Sequence, residues 1–263
     1  VTDPALAAAR RRIAPPPSRD LIIEHLEACH GIAVAGLTPL DLGVYRVDRR
    51  AGPAWLARVF PVTRPQAAAA GDAEILALLA GLDYASERPA GADPVSDLDG
   101  RSVLVTEFAE PVPRTQRRDA IRAAGGLRRL GELLAELHAL PAGTGAAGRP
   151  GGGWHHLVDG TGPDEVAAAQ ALLAGCADRV TPADQAAYAG LRRELDDVDD
   201  GAGLPVALTH PDFVLANVVA PATGGMVVVD WTGAGTGSRA WTLAFLLWAE
   251  AARNLPRVDV VAA

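Results

Sequence analysis

Apolar residues recur at helical spacing in some stretches of this chain and gather into short runs in others. Between Arg19 and Cys29, the residues Leu21, Ile22, His25, Leu26 and Cys29 repeat with a helical period, and Gly31 supplies a stop. Three strand-like pieces follow: Gly36–Leu42, Val44–Arg49 and Ala54–Phe60. Gly43 and the turn Arg50-Ala51-Gly52-Pro53 separate them, which predicts an antiparallel meander. Pro65–Leu82 carries Ile75, Leu76, Leu78 and Leu79 as an apolar stripe and reads as a helix. Residues 83–100 are polar and hold Pro89, Gly91, Pro94 and Gly100, so loops and weak strands are expected there. Arg101–Phe108 is the clearest strand of the first half, ended by Pro111 and Pro113.

The second half changes period. A helix is predicted from Thr115 to Leu140, with Leu130, Leu133, Leu134 and Leu137 on one face and Gly125-Gly126 as its weak point. Residues 141–163 are glycine-rich and read as a loop. Helices are expected at 164–178 and 182–196, the second opened by Thr181-Pro182-Ala183-Asp184. Pro205–Thr209 is short and apolar. Val218–Ala220 and Met226–Val229 flank Pro221-Ala222-Thr223-Gly224-Gly225, a hairpin pattern, and Ser238–Ala252 is an apolar helix carrying tryptophans. The order is a small strand-rich lobe, a linker, then a helical lobe with one polar hairpin. The expected domains are residues 1–110 and 111–263.

Composition narrows the function classes. Of 263 residues, 49% are apolar and 21% charged, which excludes a collagen-like, coiled-coil or wholly disordered chain. The net charge of −8 gives no overall field for a polyanion, and the arginines at 10–12, 117–118 and 128–129 read as solvated helix faces. No nucleic-acid partner is expected. Two cysteines, Cys29 and Cys176, argue for a reducing compartment. No signal peptide and no 18-residue apolar span is visible, so a cytoplasmic protein without a membrane partner is expected. The sequence leaves the oligomeric state open. All 24 basic residues are arginine, so no lysine can do chemistry here.

Polar residues concentrate in Thr209-His210-Pro211-Asp212-Phe213-Val214-Leu215-Ala216-Asn217, and Asp230 ends the returning strand 13 residues beyond Asn217. Two carboxylates and a carboxamide facing one cleft would gather oxygen ligands for a hard divalent ion and leave one carboxylate to accept a proton. Phosphoryl transfer asks for such a set. The same residues also fit a plainer reading, in which Asp212 and Asn217 cap turns and Asp230 caps a loop.

This segment resembles the catalytic loop and metal-binding strand of the aminoglycoside phosphotransferase and choline kinase-like family. The family pattern is His-Gly-Asp, four residues, Asn, a hairpin and an Ile-Asp-Trp-like end. The resemblance implies an α+β, bilobal protein-kinase-like fold with a small antiparallel-sheet N-lobe and a mainly helical C-lobe. It implies transfer of a γ-phosphoryl group from ATP or GTP, with Mg2+, to a hydroxyl of a small molecule. Asp212 would orient the acceptor hydroxyl and take its proton, Asn217 and Asp230 would hold magnesium, and His210 would brace the loop. Trp55-Leu56-Ala57-Arg58-Val59-Phe60 is similar to the strand whose basic residue meets the nucleotide phosphates, Arg58 standing for lysine. Glu74 would then position Arg58, and the backbone near Glu107, Phe108 and Ala109 would meet the adenine edge. His138, in a Leu-His helix end, is expected to be a packed, hydrogen-bonded residue.

The chain departs from the family at four places. Pro211 stands where glycine is usual, Thr242 where aspartate is common, and the turn around Asp41-Leu42-Gly43 has one glycine. The sequence ends 33 residues after Asp230, so either an open or small acceptor pocket or a shortened chain is expected. These departures motivate the alternative of a non-catalytic binding or regulatory protein on the same fold. Trp154-His155-His156 with Asp159 suits a substrate loop better than a metal site, for want of a third spaced ligand. Asp159 and Glu165 are candidate acceptor contacts, and Trp231, Trp241 and Trp248 are expected to pack.

Overall fold

The computed structural model describes residues 17–140, 148–151, 162–198 and 203–252. The architecture is α+β and two-lobed. One compact unit comprises Val1–Arg114 with Pro221–Val229, the other Thr115–Ala220 with Asp230–Ala263.

In the first unit, helix α1 (Arg19–His30) opens at Ser18, whose Oγ accepts from the Leu21 N–H at 3.3 Å, and stops at Gly31 in the left-handed region. Strands β1 (Val34–Asp41), β2 (Val44–Arg49) and β3 (Trp55–Val59) form the predicted meander. Helix α2 (Gln66–Gly81) follows, then β4 (Val95–Leu98) and β5 (Arg101–Glu107), giving an antiparallel sheet of order β1-β2-β3-β5-β4. Ile22 and Leu26 of α1 pack with Val47, Ala57, Val103 and Val105 of the sheet in one core. The polar stretch 83–94 is more ordered than its composition suggests. It runs along β5 beyond β4, through the Pro89–Thr106 bridge and a Glu107 N–H bond to the Arg88 carbonyl at 2.8 Å.

In the second unit, the single helix expected over Thr115–Leu140 is two: α3 (Arg117–Ala123) and α4 (Gly126–Ala139). Gly125 and Gly126 break it with φ of 106° and 60°, left-handed values that glycine adopts at the least cost. Leu130, Leu133, Leu134 and Leu137 make the buried face of α4, as the spacing predicts. Helix α5 (Gly162–Ala174) ends short of the expected 178, in a 3-10 turn at Ala177–Arg179, and pairs with α6 (Gln185–Asp196), where the Tyr188 hydroxyl donates to the Leu173 carbonyl at 2.9 Å.

Strand β6 (Val206–Thr209) leads to a 3-10 turn at Leu215–Asn217 and β7 (Val218–Val219). Strand β8 (Val227–Val228) lies in the first unit. The chain then forms β9 (Gly235–Ser238), a strand that the sequence pattern does not announce, and α7 (Arg239–Ala252). Strand β9 pairs antiparallel with β6, from Val206 opposite Ser238 to Thr209 opposite Gly235. Residues 149–151 run along the other edge of β9, where the Gly151 N–H donates to the Thr236 carbonyl at 2.9 Å. A Cβ on Gly235 would lie 2.5 Å from the Arg149 carbonyl oxygen, so this approach requires glycine.

Candidate active site

Strand β6 ends at Thr209, whose hydroxyl donates to the Gly235 carbonyl at 3.0 Å and fixes where the loop departs. His210 is fully buried. Its Nδ1 accepts the Asp212 N–H at 3.0 Å, so that nitrogen carries no proton. This bond spans Pro211, which is buried and in a trans peptide; its fixed φ holds the turn without glycine. Asn217 Nδ2 donates to Asp212 Oδ2 at 2.8 Å and to the Asp212 carbonyl at 2.9 Å. Two acceptors on one nitrogen fix the amide orientation and turn Oδ1 of Asn217 away from Asp212. Among the described residues, Oδ1 of Asp212 carries no hydrogen bond.

The loop rests on aromatic rings. Trp231 and Phe213, both buried, meet the His210 ring edge-on at centroid distances of 4.6 and 5.8 Å. Asp230, next to Trp231, is therefore carried by a residue packed against the histidine that holds Asp212. It is exposed, takes a left-handed φ of 67°, and its Oδ1 accepts from the Thr232 hydroxyl at 3.2 Å. Asp212, Asn217 and Asp230 offer hard oxygen atoms, the donor chemistry that suits Mg2+. Among the described residues no group of three histidine, cysteine or acidic side chains is placed to hold a metal. Magnesium commonly takes one or two protein ligands, the rest coming from phosphates and water.

Arg117 is exposed, as its sequence neighbourhood suggests, but its guanidinium is committed to backbone. Its Nη2 donates to the carbonyls of Leu215 and Ala216 at 3.0 Å each and of Val218 at 3.3 Å. A cation thereby caps the C-terminal carbonyls of the turn that presents Asn217. Nothing local distinguishes Arg117 from Arg118, because its partners lie about a hundred residues away in sequence. Arg128 and Arg129 do pair on the surface, with Glu132 and Glu136.

In the first unit, the Arg58 side chain is 9% exposed and donates through Nη1 to Glu87 Oε2 at 2.9 Å. Glu74, the expected partner, is exposed on α2. The buried stripe of that helix runs through Ala69, Asp72, Ala73, Leu76 and Leu79, and residue 74 falls off it. Asp72 is the acidic residue on the stripe, and it meets Arg64 at 2.7 Å. Of the three residues at the strand end, Glu107 and Phe108 commit their N–H groups to the carbonyls of Arg88 and Ala54, at 2.8 and 3.0 Å. The Ala109 N–H has no backbone partner among the described residues. The turn between β1 and β2 is pressed on β3, the Gly43 carbonyl accepting from the Val59 N–H at 2.7 Å.

Thr242 is buried on α7, and its hydroxyl has no hydrogen-bond partner among the described residues. His138 is half-buried, and its Nε2 also lacks a partner there. Desolvation, then the Arg239 charge, lowers its pKa. Its carbonyl, not its ring, takes the Arg239 guanidinium at 3.1 Å. Trp241, Phe245 and Trp248 stack along α7, yet Trp248 is 62% exposed, contrary to the expected packing. Trp154, His155, His156, Asp159 and the Glu165 side chain lie outside the described residues. No described helix is long and apolar enough to cross a membrane.

A profile of the phosphotransferase enzyme family matches residues 41–263. No curated protein matches the chain. Among solved structures, the aminoglycoside phosphotransferase APH(3'')-Id from Streptomyces rimosus superposes with a TM-score of 0.59 at 18% identity, over 88% of this chain and 83% of that one. The choline kinase LicA from Streptococcus pneumoniae gives 0.57 at 15% identity, over 88% and 74%. The macrolide 2'-phosphotransferase MphH from Brachybacterium faecium gives 0.52 at 22% identity, over 87% and 77%. These likenesses show the protein-kinase-like fold, and with the profile match they establish that the chain belongs to the phosphotransferase enzyme family.

Proposed function

We propose that the protein transfers the γ-phosphoryl group of ATP or GTP to a hydroxyl of a small molecule. The carrying observation is the Asn217 amide bound to both the side chain and the carbonyl of Asp212, which leaves Asp212 Oδ1 to face an acceptor. In the transfer, the acceptor oxygen bonds to the γ-phosphorus as the bridging bond to the β-phosphate breaks. The hydroxyl proton passes to Asp212, and the nucleoside diphosphate leaves. Asn217 Oδ1 and the Asp230 carboxylate are the proposed magnesium ligands. Bound Mg2+ would supply positive charge at the β- and γ-phosphates. His210 holds the Asp212 backbone, and Arg58 offers a guanidinium to phosphate. The Ala109 N–H and the Glu107 carbonyl are the groups proposed to meet the adenine edge.

A second reading is a non-catalytic binding protein on the same fold. The buried Thr242 hydroxyl, which has no hydrogen-bond partner among the described residues, favours it, because a buried polar group without a partner contributes no support. Calorimetric titration of ATP with and without Mg2+, on the native protein and Asp230→Asn, tests the first reading. Magnesium-dependent binding weakened at least tenfold by the substitution is expected. Absent binding by folded native protein, or binding indifferent to magnesium, overturns it.

A further inference from the structure

A buried guanidinium needs a fixed counter-charge, since removing its partner strands a charge away from water. For Arg58 one such partner is Glu87, whose side chain is 2% exposed. Its Oε2 receives Arg58 Nη1 at 2.9 Å and the Thr106 hydroxyl at 3.0 Å. Thr106 is itself buried in β5, beside the strand that carries Arg58. The backbone around Glu87 is held on both sides. Its N–H donates to the Val228 carbonyl at 3.0 Å, and the Val228 N–H donates to the Ala85 carbonyl at 2.8 Å. The next residue, Arg88, gives its carbonyl to the Glu107 N–H at 2.8 Å. Glu87 thus sits on a strap bonded to β5 and to Val228 of β8, and Val228 lies two residues ahead of Asp230 in the chain.

We propose that Glu87 is the positioning residue for the phosphate-facing Arg58, the part expected of Glu74, and that it acts from this strap rather than from helix α2. The inference rests on the phosphotransfer reading. It explains why the 83–94 segment is ordered, since one short piece of chain both orients the cation and pins the strand leading to the proposed metal ligand. Glutamate suits the position because one carboxylate oxygen can take both the guanidinium and the Thr106 hydroxyl.

The test is calorimetric binding of Mg-ATP and of adenosine to the full chain, for the native protein, Glu87→Gln, Glu74→Gln, Arg58→Ala and the Arg58→Ala/Glu87→Gln pair, with melting temperatures measured alongside. Glu87→Gln is expected to weaken Mg-ATP at least tenfold and leave adenosine within twofold. Glu74→Gln is expected to stay within twofold for both. The pair is expected to bind Mg-ATP no more than twofold worse than Arg58→Ala alone. Should Glu87→Gln fail to fold, Thr106→Val removes one bond to the same oxygen and is expected to weaken Mg-ATP about threefold. Native-like binding by Glu87→Gln, a tenfold loss in Glu74→Gln, multiplying losses in the pair, or an equal loss of adenosine would each overturn the inference. Native protein that binds no Mg-ATP overturns the phosphotransfer reading, and this inference with it. Native binding indifferent to residue 87 overturns this inference alone.

Discussion

The loop after β6 and the Arg58 centre are both polar sites in a mostly apolar fold, but they are assembled differently. The loop bonds close to itself: His210 to Asp212 and Asn217 to Asp212 span two and five residues. Arg58 and Glu87 are 29 residues apart, and Thr106 reaches back 19 to the same carboxylate. A short-range site can be held by its own turn chemistry. A long-range one exists only after the sheet has formed and three segments lie side by side.

The largest expected effect is chemical and falls on the local loop. Asp212→Ala should lower phosphoryl transfer to a responsive acceptor by about 10²–10⁴-fold and leave Mg-ATP binding within twofold. Near-native turnover would show that the loop's internal bonds serve a turn and not a reaction. A structural effect comes next. Gly235→Ala drives a Cβ into the Arg149 carbonyl and should cost about 1–3 kcal/mol, read as a fall in denaturation midpoint. An unchanged midpoint would mean that 149–151 yields without consequence.

Arg117→Ala probes how far the local loop stands alone, since it removes the long-range support identified beneath it. Three charge-assisted bonds from a partly solvated group should be worth about 1–2 kcal/mol together. Turnover should fall further than nucleotide affinity. Equal losses in both would place Arg117 in general stability.

A smaller effect concerns another long-range pair. His25 Nε2 and His30 Nε2 share the Ser96 hydroxyl, at 2.8 and 3.1 Å. Burial lowers the pKa of both. For His25, Asp97 and Asp99 oppose the shift; for His30, the His25 charge adds to it, and Asp93 opposes. With the folded pKa below the unfolded value near 6.5, the unfolded chain binds more protons in that window. Stability should therefore hold above about pH 6.5 and decline as the pH falls towards the folded values. His138 adds the same sign. Replacing His25 and His30 with asparagine should flatten the decline in melting temperature between about pH 7 and 5. The smallest effect belongs to Arg128→Ala, an exposed i,i+4 pair, expected within about 0.5 kcal/mol in the same melting assay.

Elements whose signal is local are legible in the sequence. Apolar periodicity places α1, α2 and the meander to within a few residues, and the buried face and C-terminal end of α4, because one face of each must be buried wherever it packs. The close spacing of His210, Asp212 and Asn217 makes the loop conspicuous for the same reason, since its partners lie within one turn. The remaining features wait on packing. Which carboxylate meets Arg58 depends on how the 83–94 strap lies along β5, and helix periodicity cannot report that. Gly235-Thr236-Gly237 carries little strand propensity, having two glycines in three residues, and becomes β9 because β6 and residues 149–151 offer it two edges. Arg117 reads like any surface arginine until the chain brings three carbonyls to it. Local propensity is written residue by residue, whereas a charge finds its partner only when distant segments have been packed together.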